Sequence, residues 1–240
     1  MAVTSAIVQS SIGDAHFDQT EKVVIAALKA RGMPYIEGTE KLIRRKRLLP
    51  TPETLVAGSI PMVHAALQAL GITPPPTDDY PQALRGCLHR KVWRTRLRDP
   101  SVDGCFVKPV KLKKFTGRVL HGRPDPFYFG GGGRNTEIWA SDVVEWVSEY
   151  RCFVAHGHLL GHRWYSGDTD VDINLDVVRE AIALHTEAPW GYALDFGVLS
   201  TGETALVEYN QGYSLGDYGL DPELYLQVLE AFWNWAMTTR

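Results

Sequence analysis

The segment Asp195-Phe-Gly-Val-Leu-Ser-Thr-Gly-Glu-Thr-Ala-Leu-Val-Glu208-Tyr-Asn210 constrains this chain more than any other. It reads as a hairpin: an apolar strand carrying an acid at its end, a tight turn at Ser200-Thr201-Gly202-Glu203, and a second apolar strand closing on Glu-Tyr-Asn. Side chains alternate faces along a strand, so Glu208 and Asn210 point the same way, and the returning strand can bring Asp195 beside them. Two carboxylates and an amide oxygen on one rigid face make a hard-oxygen site suited to Mg²⁺. Mg²⁺ usually shares its shell with substrate phosphates, so the pattern predicts nucleotide-triphosphate chemistry.

The chain has 240 residues, enough for one large domain or two smaller ones sharing a cleft. Its net charge of −3 supplies no global basic field for nucleic acid or an anionic membrane. The three cysteines, Cys87, Cys105 and Cys152, have no Cys-x-x-Cys spacing, which favours a reducing cytoplasm over a disulfide framework. The N-terminus lacks a basic n-region with a long apolar core, and no stretch approaches the ~18 apolar residues of a membrane span. These features predict a soluble, cytoplasmic protein.

Along the first ninety or so residues the pattern is a small α/β unit. Ala6-Ile7-Val8 is a short buried strand, and Asp18-Gln-Thr-Glu21 is a capping box for a helix from Thr20 to Arg31, stopped by Gly32. Leu55-Val56-Ala57 is another strand. Ser59 then caps a helix whose stripe is Val63, Ala66, Leu67 and Leu70, with Gly71 at its end. Thr73-Pro-Pro-Pro-Thr-Asp-Asp is a stiff linker. From about Cys105 strands take over: Cys105 to Pro109, Ile138 to Val147, Arg151 to Ala155, and a return strand from Leu159 to Tyr165 after a turn at His156-Gly-His158. A helix from Leu175 to Thr186 is capped by Asn174, and a final helix opens at Asp221-Pro222.

Three further segments fit a nucleotide. Phe106-Val-Lys108-Pro109 ends a strand with a cation able to reach triphosphate oxygens. Val110-Lys-Leu-Lys-Lys-Phe-Thr-Gly117 is a basic loop whose lysines and backbone N–H groups can fold over phosphates. In Val143-Val-Glu145-Trp-Val-Ser-Glu149-Tyr-Arg151 an extended run can present its backbone to adenine, with an acid after it for ribose hydroxyls. Arg151 can hold a phosphate or a substrate carboxylate. Each segment alone also reads as a strand end, a solvated loop or alternating surface charge.

Taken in order, Lys91, Phe-Val-Lys-Pro, the Lys/Thr/Gly loop, Val-Glu-Trp-Val-Ser-Glu-Tyr-Arg and the Asp195…Glu208-Tyr-Asn210 hairpin resemble the ATP-grasp superfamily. In detail the chain is similar to a clade of small stand-alone ATP-grasp proteins in which Phe-Val-Lys-Pro, Phe-Thr-Gly and Glu-x-Arg-x-Phe-Val elements recur. The resemblance covers roughly Arg85 to Gly219. It implies an α/β (α+β) ATP-grasp fold, with residues 1–84 as a pre-ATP-grasp α/β domain and 85–240 as the ATP-grasp domain. It implies ATP and Mg²⁺ (or Mn²⁺) as cofactors. Lys91 would be the first ATP-contacting lysine and Lys108 the contact to the α/β phosphates. Lys114, Thr116 and Gly117 would lie in the phosphate-covering loop. Glu145, Trp146 and Val147 would form the adenine hinge and Glu149 the ribose acid. Asp195, Glu208 and Asn210 would hold the metal, while Arg151, Arg163 and Lys114 would face the γ-phosphate or the acceptor acid. The covering loop departs from the family by being lysine-rich rather than Gly/Ser-rich.

The implied activity is an ATP-dependent carboxylate–amine ligase working through an acylphosphate. Its partners would be small-molecule or peptide acids and amines, or a protein substrate, with no nucleic acid and no membrane. Alternatives are a kinase on the same scaffold, which stops after phosphoryl transfer, and a non-catalytic nucleotide-binding module. Gly130 to Gly133 read as a connector, because no helix follows them. His156, His158 and His162 read as a surface hairpin. The basic run Lys41 to Arg47 reads as a solvated face or a cover for an acidic substrate. Tyr209, Tyr213 and Tyr218 line an acceptor pocket or belong to the core. The aromatic final helix, with Phe232, Trp233 and Trp235, is core or the interface of a homodimer.

Overall fold

The computed structural model describes residues 2–10, 17–76, 78–111, 115–122, 129 and 133–239. A parallel three-stranded sheet comes first, built from β1 (Ser5–Gln9), β2 (Tyr35–Gly38) and β3 (Thr54–Ala57) in the order β2-β1-β3. Helices α1 (Phe17–Ala30), α2 (Glu40–Arg44) and α3 (Ile60–Ala69) connect and flank these strands. The apolar run expected for β1 is buried through Ala6, Ile7 and Val8, as parallel strands covered on both faces should be. α1 opens at Phe17, ahead of the expected Thr20, so Asp18 to Glu21 lies inside its first turn and not before it. The Thr20 hydroxyl donates instead to Asp217, far away in sequence. Ser59 occupies the N-cap of α3 without a side-chain cap bond; its N–H donates to the Gln9 side chain.

Two antiparallel four-stranded sheets follow. The smaller has the order β4-β7-β5-β6, from β4 (Val92–Arg96), β5 (Phe106–Pro109), β6 (Arg118–Val119) and β7 (Glu137–Ser141). The larger has the order β11-β10-β8-β9, from β8 (Trp146–Ala155), β9 (His158–Gly167), β10 (Gly191–Leu199) and β11 (Thr204–Gln211). Helix α4 (Leu175–Leu184) lies between β9 and β10, with the Asn174 side chain accepting from the Asp176 N–H as an N-cap. The chain ends in α5 (Pro222–Thr238), capped by Asp221 and opened by its proline.

The expected strand from Ile138 to Val147 is two strands. β7 ends at Ser141 and β8 begins at Trp146, and the residues between carry the chain from one sheet to the other. Val143, β-prone by type, finds no core there and is exposed.

Helix α5 joins the layers. Its Phe232 and Trp233 share one buried cluster with Ile7, Val8 and Leu55 of the first sheet and with Phe153 and Ala193 of the larger one. The Trp233 indole N–H donates to the Pro52 carbonyl, and Arg31, just past the end of α1, bridges Glu223 and Glu230. Close approach of α5 to β10 depends on Gly191. A Cβ there would sit 2.1 Å from the Val228 carbonyl oxygen and 2.5 Å from the Phe232 nitrogen. The aromatic final helix is therefore core at Phe232 and Trp233. None of the three cysteines forms a disulfide. Among the described residues no helix is long and apolar enough to cross a membrane.

Candidate active site

The expected hairpin forms, but through a device that alternation alone does not show. From the turn, Val198 pairs with Thr204, Gly197 with Ala205 and Phe196 with Leu206. The register then shifts, so that Asp195 pairs with Glu208, leaving Val207 as the extra residue. Without this bulge Asp195 would oppose Val207, and Glu208 would turn to the other face. With it, the two carboxylates stand directly opposite each other. Asn210 is two residues along the same face, and its amide donates to Asp195 Oδ2 at 3.1 Å.

The same cross-strand row continues through the larger sheet. Asp195 pairs with Arg151 of β8, and Arg151 with Arg163 of β9. Arg151 binds Asp195 with both prongs, Nε to Oδ1 at 2.8 Å and a terminal nitrogen to Oδ2 at 2.7 Å. Both side chains are buried. Burial pushes the Asp195 carboxyl up, and the charge and bonds of Arg151 oppose that push. Asp195 in turn holds the Arg151 guanidinium protonated, well above the ordinary arginine range despite its burial. Arg163 donates to the Gly219 and His162 carbonyls, at the outer end of the row.

Lys108 reaches this row from the smaller sheet. Its Nζ lies 2.6 Å from Glu208 Oε2 and 2.7 Å from Asp79 Oδ2. Burial alone would drive its proton off, but these carboxylates, Glu208 first, hold it above the usual lysine range. Lys108 holds the Glu208 carboxyl down against its burial. Gly117 sits close by: a Cβ there would meet the Phe106 ring at 2.5 Å and the Lys108 Cβ at 3.4 Å. Thr116 is exposed next to it, and Lys114 lies outside the described residues.

Glu149 shares the face of Arg151 and accepts from the Tyr165 hydroxyl at 2.9 Å; burial raises its carboxyl. Along the expected adenine segment, the Glu145 carbonyl accepts from the Ser200 N–H and the Val147 carbonyl from the Asp168 N–H. The Trp146 ring packs over Gly197, where a Cβ would come within 2.6 Å of it.

Lys91 is not brought to this site. It is exposed, its Nζ 5.0 Å from the centre of the Trp93 ring, and Trp93 packs with Val107 in the cluster on the far face of the smaller sheet. The neighbouring Arg90 takes the inward position. It donates to the carbonyls of Leu206 and Val207, the latter being the bulge residue, and lies over the Trp146 ring. Sequence reasoning also passed over Asp79 and Tyr80, at the end of the supposed linker. Asp79 binds Lys108, and the Tyr80 ring lies under both Lys108 and Arg90. A basic residue next to an expected cationic position, and paired acids after prolines, were the signals available.

Of the tyrosines, Tyr209 and Tyr213 are buried, whereas Tyr218 is partly exposed with its ring 5.0 Å from the Arg151 guanidinium. His156-Gly-His158 is a hairpin turn, with Gly157 at φ 75°. Among the described residues no group of three or more His, Cys, Asp or Glu side chains could hold a metal, so a hard-oxygen site here needs the Asn210 amide beside its two carboxylates. The juxtaposed Asp195, Glu208 and Asn210 fit a small divalent cation in donor chemistry.

A family model for an ATP-grasp domain, the second family of its clade, matches residues 87–228. The chain belongs to this family. Its architecture is the ATP-grasp fold, as solved structures also show. The D-alanine–D-alanine ligase from Bacillus anthracis is 13% identical with a TM-score of 0.64, over 98% of this chain and 97% of that one. An L-amino acid ligase from Bacillus licheniformis is 11% identical with a TM-score of 0.58, over 95% of this chain and 75% of that one. The macrocyclase MdnC from Microcystis aeruginosa MRC, bound to its precursor peptide MdnA, is 12% identical with a TM-score of 0.51, over 99% of this chain and 100% of that one. No curated protein matches the ATP-grasp chain in sequence.

Proposed function

We propose that this protein is an ATP-dependent carboxylate–amine ligase, with residues 1–84 as the pre-ATP-grasp unit and 85–240 as the ATP-grasp domain. The observation that carries the reading is the row Glu208–Asp195–Arg151–Arg163, met from the opposing sheet by Lys108. ATP would lie between the two antiparallel sheets. Lys108, Arg90 and the segment at Thr116–Gly117 would take its phosphates, Glu145 to Val147 its base and Glu149 its ribose. Neighbours of this fold support the reading by what their names state: two are amino-acid ligases and one a peptide macrocyclase, and the Bacillus anthracis enzyme has been solved with ATP.

Asp195, Glu208 and Asn210 would hold Mg²⁺, or Mn²⁺ in its place. Bound there, the metal would supply charge neutralisation at the phosphates. Arg151 and Arg163 would orient the acceptor carboxylate by the fork geometry of a guanidinium. A carboxylate oxygen attacks the γ-phosphorus, the bond to the ADP oxygen breaks, and an acylphosphate forms. A neutral amine then attacks the acyl carbon, the C–O bond to phosphate breaks, and the proton lost by nitrogen leaves with inorganic phosphate. Positioning and charge compensation carry most of the first step, and these are what the row provides.

The test is release of ADP and phosphate from ATP and Mg²⁺ with pooled carboxylic acids, amines and short peptides, with products weighed by mass spectrometry. A product lighter than an acid–amine pair by one water supports ligation. A stable phosphorylated product indicates a kinase instead. Glu208→Gln should lower turnover at least about 100-fold, since a metal ligand is worth several kcal/mol of transition-state stabilisation. Unchanged turnover in that variant removes the metal assignment.

A further inference from the structure

A second cavity lies beside this site and faces the N-terminal unit. It has a volume of about 300 Å³, at the small end for ligand pockets, and is walled by α1, β3, α3, α5 and the segment that follows Asn210. Val24, Val56, Val63 and Trp233 give it an apolar lining. Two carboxylates line it as well, Glu21 and Asp217, and both residues are buried. Among the described lining residues there is no lysine, arginine or histidine. Asp217 is fixed in place: its Oδ1 accepts from the Thr20 hydroxyl at 3.3 Å and its Oδ2 from the Gly219 N–H at 2.9 Å. A carboxylate has about four lone-pair positions, so these two bonds leave capacity for a further donor.

The cavity adjoins the proposed catalytic row. It shares Ile60, Tyr213, Ser214 and Leu215 with a cleft of about 200 Å³ that reaches Arg151 and Asn210. Its own Tyr218 lies over the Arg151 guanidinium. An apolar chamber with buried negative charge at its wall selects a cation joined to an apolar group. It disfavours acids, whose own negative charge would be set against these carboxylates.

We propose that this cavity takes the amine substrate, a primary amine of roughly amino-acid size with an apolar side chain, its ammonium directed to Asp217 and its side chain toward Val24, Val56 and Trp233. The fate of that amine rests on the ligase reading; its binding does not.

The experiment is calorimetric titration of the full chain with L-leucinamide, D-leucinamide, glycinamide and 4-methylpentanamide, with and without a non-hydrolysable ATP analogue and Mg²⁺. One leucinamide enantiomer should bind at least about tenfold more tightly than glycinamide, which lacks the side chain, and than 4-methylpentanamide, which lacks the amine. Asp217→Asn should abolish the preference over 4-methylpentanamide. Val63→Phe, which places a ring in the cavity, should abolish leucinamide binding while the ATP analogue still binds. Equal affinities for leucinamide and glycinamide, or leucinamide binding that survives Val63→Phe, overturn the proposal. Should leucinamide bind as stated while no acid, amine and ATP mixture releases phosphate, the ligase reading falls and the amine pocket stands. Phosphate release driven only by polar amines gives the reverse.

Discussion

The Arg151–Asp195 pair allows a prediction in which stability and activity part company. Arg151 and Asp195 are 9% and 3% exposed at their side chains and joined by two charge-assisted bonds. Replacing Arg151 by methionine keeps much of its volume but leaves Asp195 buried without its counter-ion. Breaking one side of such a pair costs about 3–5 kcal/mol. The Asn210 amide still donates to Asp195, which places the expected cost near the lower bound, about 3 kcal/mol. For a chain of this length each kcal/mol moves the melting midpoint by about 2–4 °C, so a drop of roughly 6–12 °C follows. The double variant Arg151→Met/Asp195→Leu removes both desolvated charges and should return to within about 1 kcal/mol of the parent or exceed it. Ligase turnover should be lost in both. Urea unfolding followed by tryptophan fluorescence measures the stabilities. A single variant that costs under about 1 kcal/mol, or a double variant as unstable as the single, would refute the claim that these residues form one desolvated unit.

Three further outcomes follow from the same geometry. Lys108→Met should weaken ATP binding at least tenfold in calorimetry, because it removes the cation that reaches from the smaller sheet; unaltered affinity would count against Lys108 as a phosphate contact. Tyr165→Phe deletes the bond that lowers the Glu149 carboxyl against its burial, so that carboxyl rises further. Glu149 is then protonated, and ceases to be a pure acceptor for ribose, at a higher pH; ATP affinity should fall in the variant at a higher pH than in the parent as acid is added, and superimposable pH profiles would reject the ribose role. Gly191→Ala drives a Cβ into the backbone of α5 and should destabilise the fold by about 1–3 kcal/mol or more, read as a lowered urea midpoint; a neutral result would show that α5 can retreat from β10 without loss.

Much of the candidate site's arrangement was legible in the sequence because its side chains sit on strands. The spacing Glu208-x-Asn210 fixes a shared face whatever the tertiary structure, and Asp221-Pro222 and Asn174 mark helix starts by local bonds alone. What escaped was set by parity and by distant contacts. The bulge at Val207 changes which face meets Asp195, and no residue in that strand announces it. One position separates Lys91 from Arg90, just ahead of β4, and that single step exchanges the site for the opposite face of the smaller sheet. Asp79 and Tyr80 carry linker-like flanks, and their role arises only when β5 arrives with Lys108. The break between β7 and β8 was hidden for a related reason: Val143 and Val144 have strand propensity, but propensity follows from a pleated, half-buried setting that the crossing segment does not have.

The acids of the site explain why its cations can be buried at all. Lys108 and Arg151 are both largely removed from water, and burial on its own disfavours their charged forms. Glu208 and Asp79 hold the first and Asp195 the second, so each cation stays charged and stays aimed before any ligand arrives. On the proposed reading a phosphate or substrate carboxylate would meet donors already in position, and little reorganisation would remain at the moment of reaction. This places opposite demands on the same carboxylates. They keep Lys108 and Arg151 protonated, and on that same reading they would have to accept a further positive partner when a phosphate drew those cations away. The one-residue bulge that sets Glu208 opposite Asp195 is what lets two carboxylates and two cations from different sheets satisfy that demand on a single face.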